Sequence, residues 1–302
     1  MNQYKKFLGR TDLVKNQVER EKLAEQEAAS KRKRRIQEAN RRSHLRYQEQ
    51  LRSELAARYF HSVMSTGGES FSNTKSLNFD GVDDYIDCGD NDNLSFTNNV
   101  NDSAFTFSLW AKVDTLSVGH ALIEKGNFAT SNNREYIFSI GSDGAIYSTI
   151  YAQGQSLNRR GRKTSTGLIS INTWYHIAWT YNGQGGTNAS NGIKIYLDGV
   201  RVDNANNQKN SYTAMTNTSN PLKIGEFING NLDEVSVFNS ELSQSDITAI
   251  FGTGVPTSLT SLSPLSWWRF EEGSGTTAID SGTGGNNGTL EGPPTYSTDV
   301  PE

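Results

Sequence analysis

The stretch Phe105–Val113, FTFSLWAKV, puts Phe105, Phe107, Leu109, Ala111 and Val113 at every second position. Successive side chains of an extended chain point to opposite faces, so this period of two predicts a strand with one apolar face. The same pattern repeats outward from it. Ser76–Cys88 reads as a strand, an Asp-Gly turn and a second strand (SLNF, DGVDD, YIDC), and further strands are expected at Ala121–Lys125, Tyr136–Gly141, Ala145–Tyr151, Trp174–Tyr181, Ile193–Leu197, Leu222–Ile224 and Asn231–Phe238. Asp198-Gly199, set before the short strand Val200–Val202, is a hairpin signal. Ser243–Phe251 reads as one short helix with Ser243 as its cap. Short strands at this density, with 27 of the 28 glycines after residue 65, predict a mainly β, antiparallel double-sheet sandwich or jelly roll.

The 302 residues are not uniform in charge. Residues 1–65 carry 16 Lys and Arg against 8 Asp and Glu, a net of +8, whereas the rest carries 13 against 25, a net of −12. Two segments this different imply two tasks, recognition by the body and attachment by the arm. The division expected is a basic helical arm at 1–65, a linker at 66–75 and a β-domain at 76–302. A single cysteine, Cys88, excludes an intrachain disulfide and suits a reducing compartment. No secretion signal and no membrane span is expected, because no apolar run reaches the length either needs.

The arm is rich in Glu, Gln, Lys, Arg, Ala and Leu and lacks proline, which predicts helix from about Thr11 to Met64. Tyr47, Leu51, Leu55, Tyr59 and Val63 form a partial apolar stripe, while Ala24–Arg35 offers almost nothing larger than alanine, so no autonomous coiled coil is expected. Lys31, Arg32, Lys33, Arg34 and Arg35, followed by Arg41 and Arg42, surround the helix with positive charge. Three readings stay open: a solvated helix, docking on an acidic protein surface, and phosphate binding, for which no base-reading motif is present.

Taken in order, SLNFDGVDDYIDCGD, FTFSLWAKVD, LIEKG, INTWYHIAWTYNG, GIKIYLDGV, LKIGEF and INGNLDEVSVFNSELSQSDI resemble the laminin-G-like, concanavalin-A-like jelly rolls of bacterial and phage type, over Ser76 to about Phe251. The segment Pro264–Gly292, PLSWWRFEEGSGTTAIDSGTGGNNGTLEG, resembles the opening strands of such a domain but comes last. It is expected to return and complete one sandwich, with Trp267 and Trp268 in packing roles. The resemblance implies a Ca2+ site at Asp80, Asp83 and Asp84 in the FDGVDD turn, together with Asp233 of GNLDEV. Hard oxygen ligands from turns suit that ion, although Asx turns and backbone hydrogen bonds would use the same side chains.

The resemblance also implies variable polar loops that meet sugars. Asn127–Arg134, Tyr151–Lys163 and Asn182–Asn191 are the long ones, and the second carries Tyr151 with the body's basic cluster, Arg159, Arg160, Arg162 and Lys163. That cluster reads as a glycan subsite, a subunit interface or a solvated loop. Glucanases of related fold use Glu-x-Asp-x-x-Glu, which the body lacks, and the histidines are dispersed, with His176 expected to pack within its strand. No enzyme is expected. The chain reads best as a structural protein of a tailed-phage virion, assembled in the host cytoplasm as a homo-oligomer. Its arm would dock on capsid, portal or tail components, and its domain would meet host-surface glycans or decorate the particle. A cellular or exported carbohydrate-binding protein and a purely structural assembly protein are the alternatives.

Overall fold

The computed structural model describes residues 20, 22–35, 38–39, 41–43, 46, 71–127, 133–152 and 158–302. The chain divides into two compact units, Met1–Glu49 and Gln50–Glu302. In the first, residues 22–35 form helix α1, every described position up to 46 is also helical, and all are exposed. Lys31, Arg32, Lys33, Arg34, Arg35 and Arg41 thus face solvent within this unit, and Arg42 pairs with Glu38 one turn back. Tyr47, Leu51, Leu55 and Tyr59 lie outside the described residues, as do 66–70 of the expected linker. Among the described residues no helix is long and apolar enough to cross a membrane.

The second unit is a sandwich of two antiparallel sheets. In chain order its strands are β1 (Ser76–Asp80), β2 (Tyr85–Asp87), β3 (Phe105–Val113), β4 (His120–Asn127), β5 (Asn133–Ile140), β6 (Ile146–Tyr151), β7 (Arg159–Thr164), β8 (Tyr175–Tyr181) and β9 (Ile193–Leu197). There follow β10 (Val200–Arg201), β11 (Asp203–Asn206), β12 (Leu222–Ile224), β13 (Asn229–Phe238), helix α2 (Gln244–Phe251), β14 (Ser266–Trp268), β15 (Thr277–Ala278), β16 (Gly288–Glu291) and β17 (Thr295–Ser297). The first sheet runs β10-β9-β8-β3-β13-β1-β17, with β14 also paired to β13; the second runs β11-β7-β6-β5-β4-β12-β2-β16-β15.

The inner faces meet in a core whose centre is aromatic. The Phe105, Phe107 and Tyr136 rings surround Trp179 at centroid distances of 4.9, 5.4 and 6.5 Å, and all four are fully buried. The alternation in FTFSLWAKV marked only this face. The structure buries the opposite one as well, because α2 and the chain after it cover the outer side of the first sheet. There Ile247 and Ile250 pack with Tyr196, Phe238 and Trp267, and Trp110 stacks on Phe251 at 5.9 Å. A capping box starts α2: the Ser243 side chain accepts from the Asp246 N–H, and the Asp246 carboxylate accepts from the Ser243 N–H. His176 lies under this layer, hydrogen-bonded to Ser108 Oγ at 2.8 Å, and full burial lowers its pKa to about 3.

The C-terminal residues join both sheets. β14 pairs with β13, β17 with β1 and β16 with β2. Trp268 is fully buried and donates its indole N–H to the Asn286 carbonyl at 2.8 Å, while Trp267 packs beside α2.

One strand departs from expectation. Tyr151–Lys163 is not one long loop, since Arg159–Thr164 is the strand β7, paired with β6 on one side and β11 on the other. A sequence of RRGRKT has no apolar alternation because its partners are polar. Arg160 is buried and donates to the carbonyls of Thr187 and Asn210, and Arg162 is held by Asp203 and Asn206. Both are structural cations rather than surface ligands for a sugar.

Candidate functional site

The expected acidic constellation separates into two places. Asp80, Asp83 and Asp84 offer carboxylate oxygens that all lie within 4.8 Å of one another in the β1–β2 turn. The turn uses some of these oxygens itself: Asp80 accepts from Val82 N at 2.7 Å and Asp84 from Asp80 N at 2.8 Å. Both Asp83 oxygens and one each from the other two remain for a cation. Burial, and then the negative charges of Asp80 and Asp83, raise the Asp84 pKa. A bound cation would relieve that repulsion. Gly292 (φ +101°) passes close by, and a Cβ there would stand 2.5 Å from Asp84 Oδ1, so only glycine leaves the turn intact.

Asp233 is not part of this cluster. Register pairs Leu77 with Leu232 and Asp80 with Asn229, so Asp233 falls about four residues, or ~13 Å, along β1 from Asp80. It is fully buried, accepts from Asn73 Nδ2 and from the Glu234 N–H, both at 2.8 Å, and its pKa is pushed well up by burial and then by Glu234. Such a group secures the strand's bulge and the entering chain.

The second sheet carries a different constellation on its outer face. Leu122, Ile123, Tyr136, Ile150, Leu222 and Ile224 belong to the core, so alternation turns Glu124, Tyr151 and Lys223 outward on β4, β6 and β12. The β6–β7 register sets Arg159 opposite Tyr151, and the Arg134 guanidinium lies over the Tyr151 ring at 5.6 Å. Further across, Lys223 pairs with Glu226 at 2.7 Å and stands 4.3 Å over the Tyr85 ring of β2. The result is a row, Arg159–Tyr151–Arg134–Glu124–Glu226–Lys223–Tyr85, that crosses six neighbouring strands. Aromatic rings stand toward both ends and charged groups lie between.

Glu124 is the chemical centre of this row. It is 2 % exposed, is hydrogen-bonded to Glu226, and its Oε1 has no hydrogen-bond partner. Burial, then the hydrogen bond and charge of Glu226, raise its pKa to about 9, so Glu124 holds a proton at neutral pH. Although Glu226 is itself partly buried, the proton it receives from Glu124 and its pairing with Lys223 hold its pKa below the usual range. The pair shares one proton, which Glu124 donates to Glu226.

Of the expected basic cluster, the structure brings Tyr151 and Arg159 into this row and sends Arg160 and Arg162 to other work. Glu124, Arg134, Lys223, Glu226 and Tyr85 were not singled out by the sequence. The signal was present in LIEKG and LKIGEF, whose polar residues interrupt apolar strands, but only strand pairing shows that they meet.

No curated protein matches the chain. Among solved structures it is similar to a candidate carbohydrate-binding protein from Bacteroides ovatus, with 20 % identity, a TM-score of 0.50, and coverage of 76 % of this chain but only 62 % of that one. It also matches the native heptameric SAP-like pentraxin of Limulus polyphemus (13 % identity, 60 % and 84 % coverage, TM-score 0.39). The Ruminococcus gnavus IT-sialidase CBM40 bound to α2,3-sialyllactose matches at 10 % identity, 59 % and 96 % coverage, and a TM-score of 0.40. At these identities the likeness is one of fold. A family model matches residues 80–248, more than half the chain and most of both sheets, and the protein therefore belongs to the concanavalin A-like lectin/glucanases superfamily.

Proposed function

We propose that the body is a non-enzymatic glycan-binding domain whose ligand lies across the outer face of the second sheet, along the row from Arg159 to Tyr85. The observation that carries this reading is the buried, uncharged Glu124, whose Oε1 has no partner within a row bounded by tyrosine rings. A sugar offers hydroxyl donors for such an acceptor and C–H faces for the rings, and an unmet buried polar atom is costly unless something pairs with it. The non-enzymatic reading is favoured by the Glu124–Glu226 geometry. A retaining glycosidase holds its two carboxyls roughly 5–5.5 Å apart with the sugar between them, whereas these two are hydrogen-bonded to each other.

Ca2+ is the cation proposed for the Asp80–Asp83–Asp84 turn, at a distinct place on the domain. The exposed basic helix supports a role for the arm in attaching the domain to an acidic assembly, and a tailed-phage particle is the setting proposed. A glycan array probed with the full chain, in Ca2+ and in chelator, tests the domain. Binding to a defined set of oligosaccharides, weakened at least tenfold by Tyr151→Ala, is expected; binding to none would leave a purely structural protein. A melting temperature unchanged by chelator would remove the ion.

A further inference from the structure

The charge of the first unit is concentrated at the end of α1 and just beyond it. Residues 31–46 hold eight Lys and Arg against one carboxylate, Glu38, a net of +7. Every described position among them is helical and exposed, and Glu38 is paired with Arg42. At the helical rise these residues extend ~24 Å, about one positive charge per 3.4 Å. One strand of a DNA duplex carries its phosphates at the same density, roughly one per 3.4 Å.

Two features favour that partner over an acidic protein. Lys31 to Arg35 are consecutive, and at roughly 100° per residue their cationic groups stand on every side of the helix. A protein surface meets one side and leaves the cations of the far side in water. The major groove of B-DNA, about 12 Å wide, admits a helix and sets phosphates along both of its walls. The second feature is the absence of an apolar anchor. Within residues 22–35 the single large apolar side chain is Leu23, which is 62 % exposed. Protein interfaces draw most of their affinity from anchors buried at the centre, whereas phosphate contacts need only cations. Six of the eight cations are arginines, whose planar fork matches a phosphate. The net −12 beyond residue 65 repels a polyanion, so the arm alone is suited to engage it.

We infer, resting on the reading of the arm as the attaching segment, that its acidic partner is double-stranded DNA, held through the phosphates of both groove walls by the cations of residues 31–46 without choice of sequence.

Fluorescence anisotropy with the full chain and two labelled duplexes of unrelated sequence, each about 24 base pairs long, tests the inference. Both duplexes should bind within about threefold of each other. Their affinity should fall linearly with salt on logarithmic axes, with a slope of about −5 or steeper for six or more phosphate contacts. Poly-glutamate of equal charge should compete at least tenfold less well than unlabelled duplex. Replacing Arg34→Gln and Arg35→Gln together should weaken both duplexes alike and make the slope shallower by about 2, with the melting of the body unchanged. Poly-glutamate that competes as well as duplex overturns the inference and leaves the attaching role standing, with an acidic protein as the partner. A slope shallower than about −2, a strong preference for one duplex, or an unaltered slope in the double variant also overturns it. Failure to bind either polyanion removes both readings. The competition uses the native chain, so no folding defect in a variant can decide it.

Discussion

Glu124 shows how far one residue's chemistry depends on its neighbours. In LIEKG it is an ordinary strand glutamate, and what sets its state is burial and then Glu226, a hundred positions later, brought beside it by β12 pairing with β4. Its proton makes a signed prediction. A carboxyl whose pKa rises from 4.5 to about 9 on folding contributes stability that is complete below its unfolded value and is lost as pH climbs toward 9. The body should therefore lose stability between about pH 5 and 9. Glu124→Gln, which keeps a donor for Glu226 and cannot ionise, should flatten that slope in thermal melts taken across the range. A slope equal to the wild type's would mean that Glu124 is ionised in the folded protein. The aspartates of the FDGVDD turn are the opposite case: three carboxylates within five residues are legible as a cluster because local chain geometry alone brings them together.

At the scale of elements, what could be read in advance was what is locally encoded. The period of two gave β3 and β8, the Asp198-Gly199 turn gave the β9–β10 hairpin, and Ser243 gave the start of α2. β7 could not be read this way. Its arginines face carbonyls and carboxylates supplied by distant loops, so no apolar period marks it as a strand. The C-terminal strands carry a prediction of their own. β14, β16 and β17 pair with β13, β2 and β1, so a chain ending before Pro264 would expose strand edges and leave part of the core uncovered. Such a chain should aggregate or show no cooperative melt. A soluble product with a native-like transition would show that the sandwich is complete without them.

At the scale of the whole molecule, the chain forms two compact units, Met1–Glu49 and Gln50–Glu302, and the first lies within the basic N-terminal stretch. The described arm positions are exposed and largely basic, a surface suited to an acidic partner. If the arm attaches the protein to a virion, the protein should be found in purified particles, and copies lacking residues 1–49 should be absent from them. Partners held by exposed charges should also release as salt rises, since screening shortens the reach of such charges to about 3 Å at 1 M. Retention of the shortened chain in particles would place the attachment in the body.

The sequence by itself determined the sandwich, the acidic turn, the capped helix and the split in charge, because each is written in short-range pattern or in composition. Only the tertiary structure decided that Arg160 is a buried support and Arg162 a half-buried one held by Asp203, that Asp233 stands apart from the acidic turn, and that Glu124, Glu226, Lys223, Arg134, Tyr151, Arg159 and Tyr85 form one row. The physical reason is strand register. It brings together side chains from six strands spread over some 140 residues, and the one buried proton they share exists only after the pairing is made.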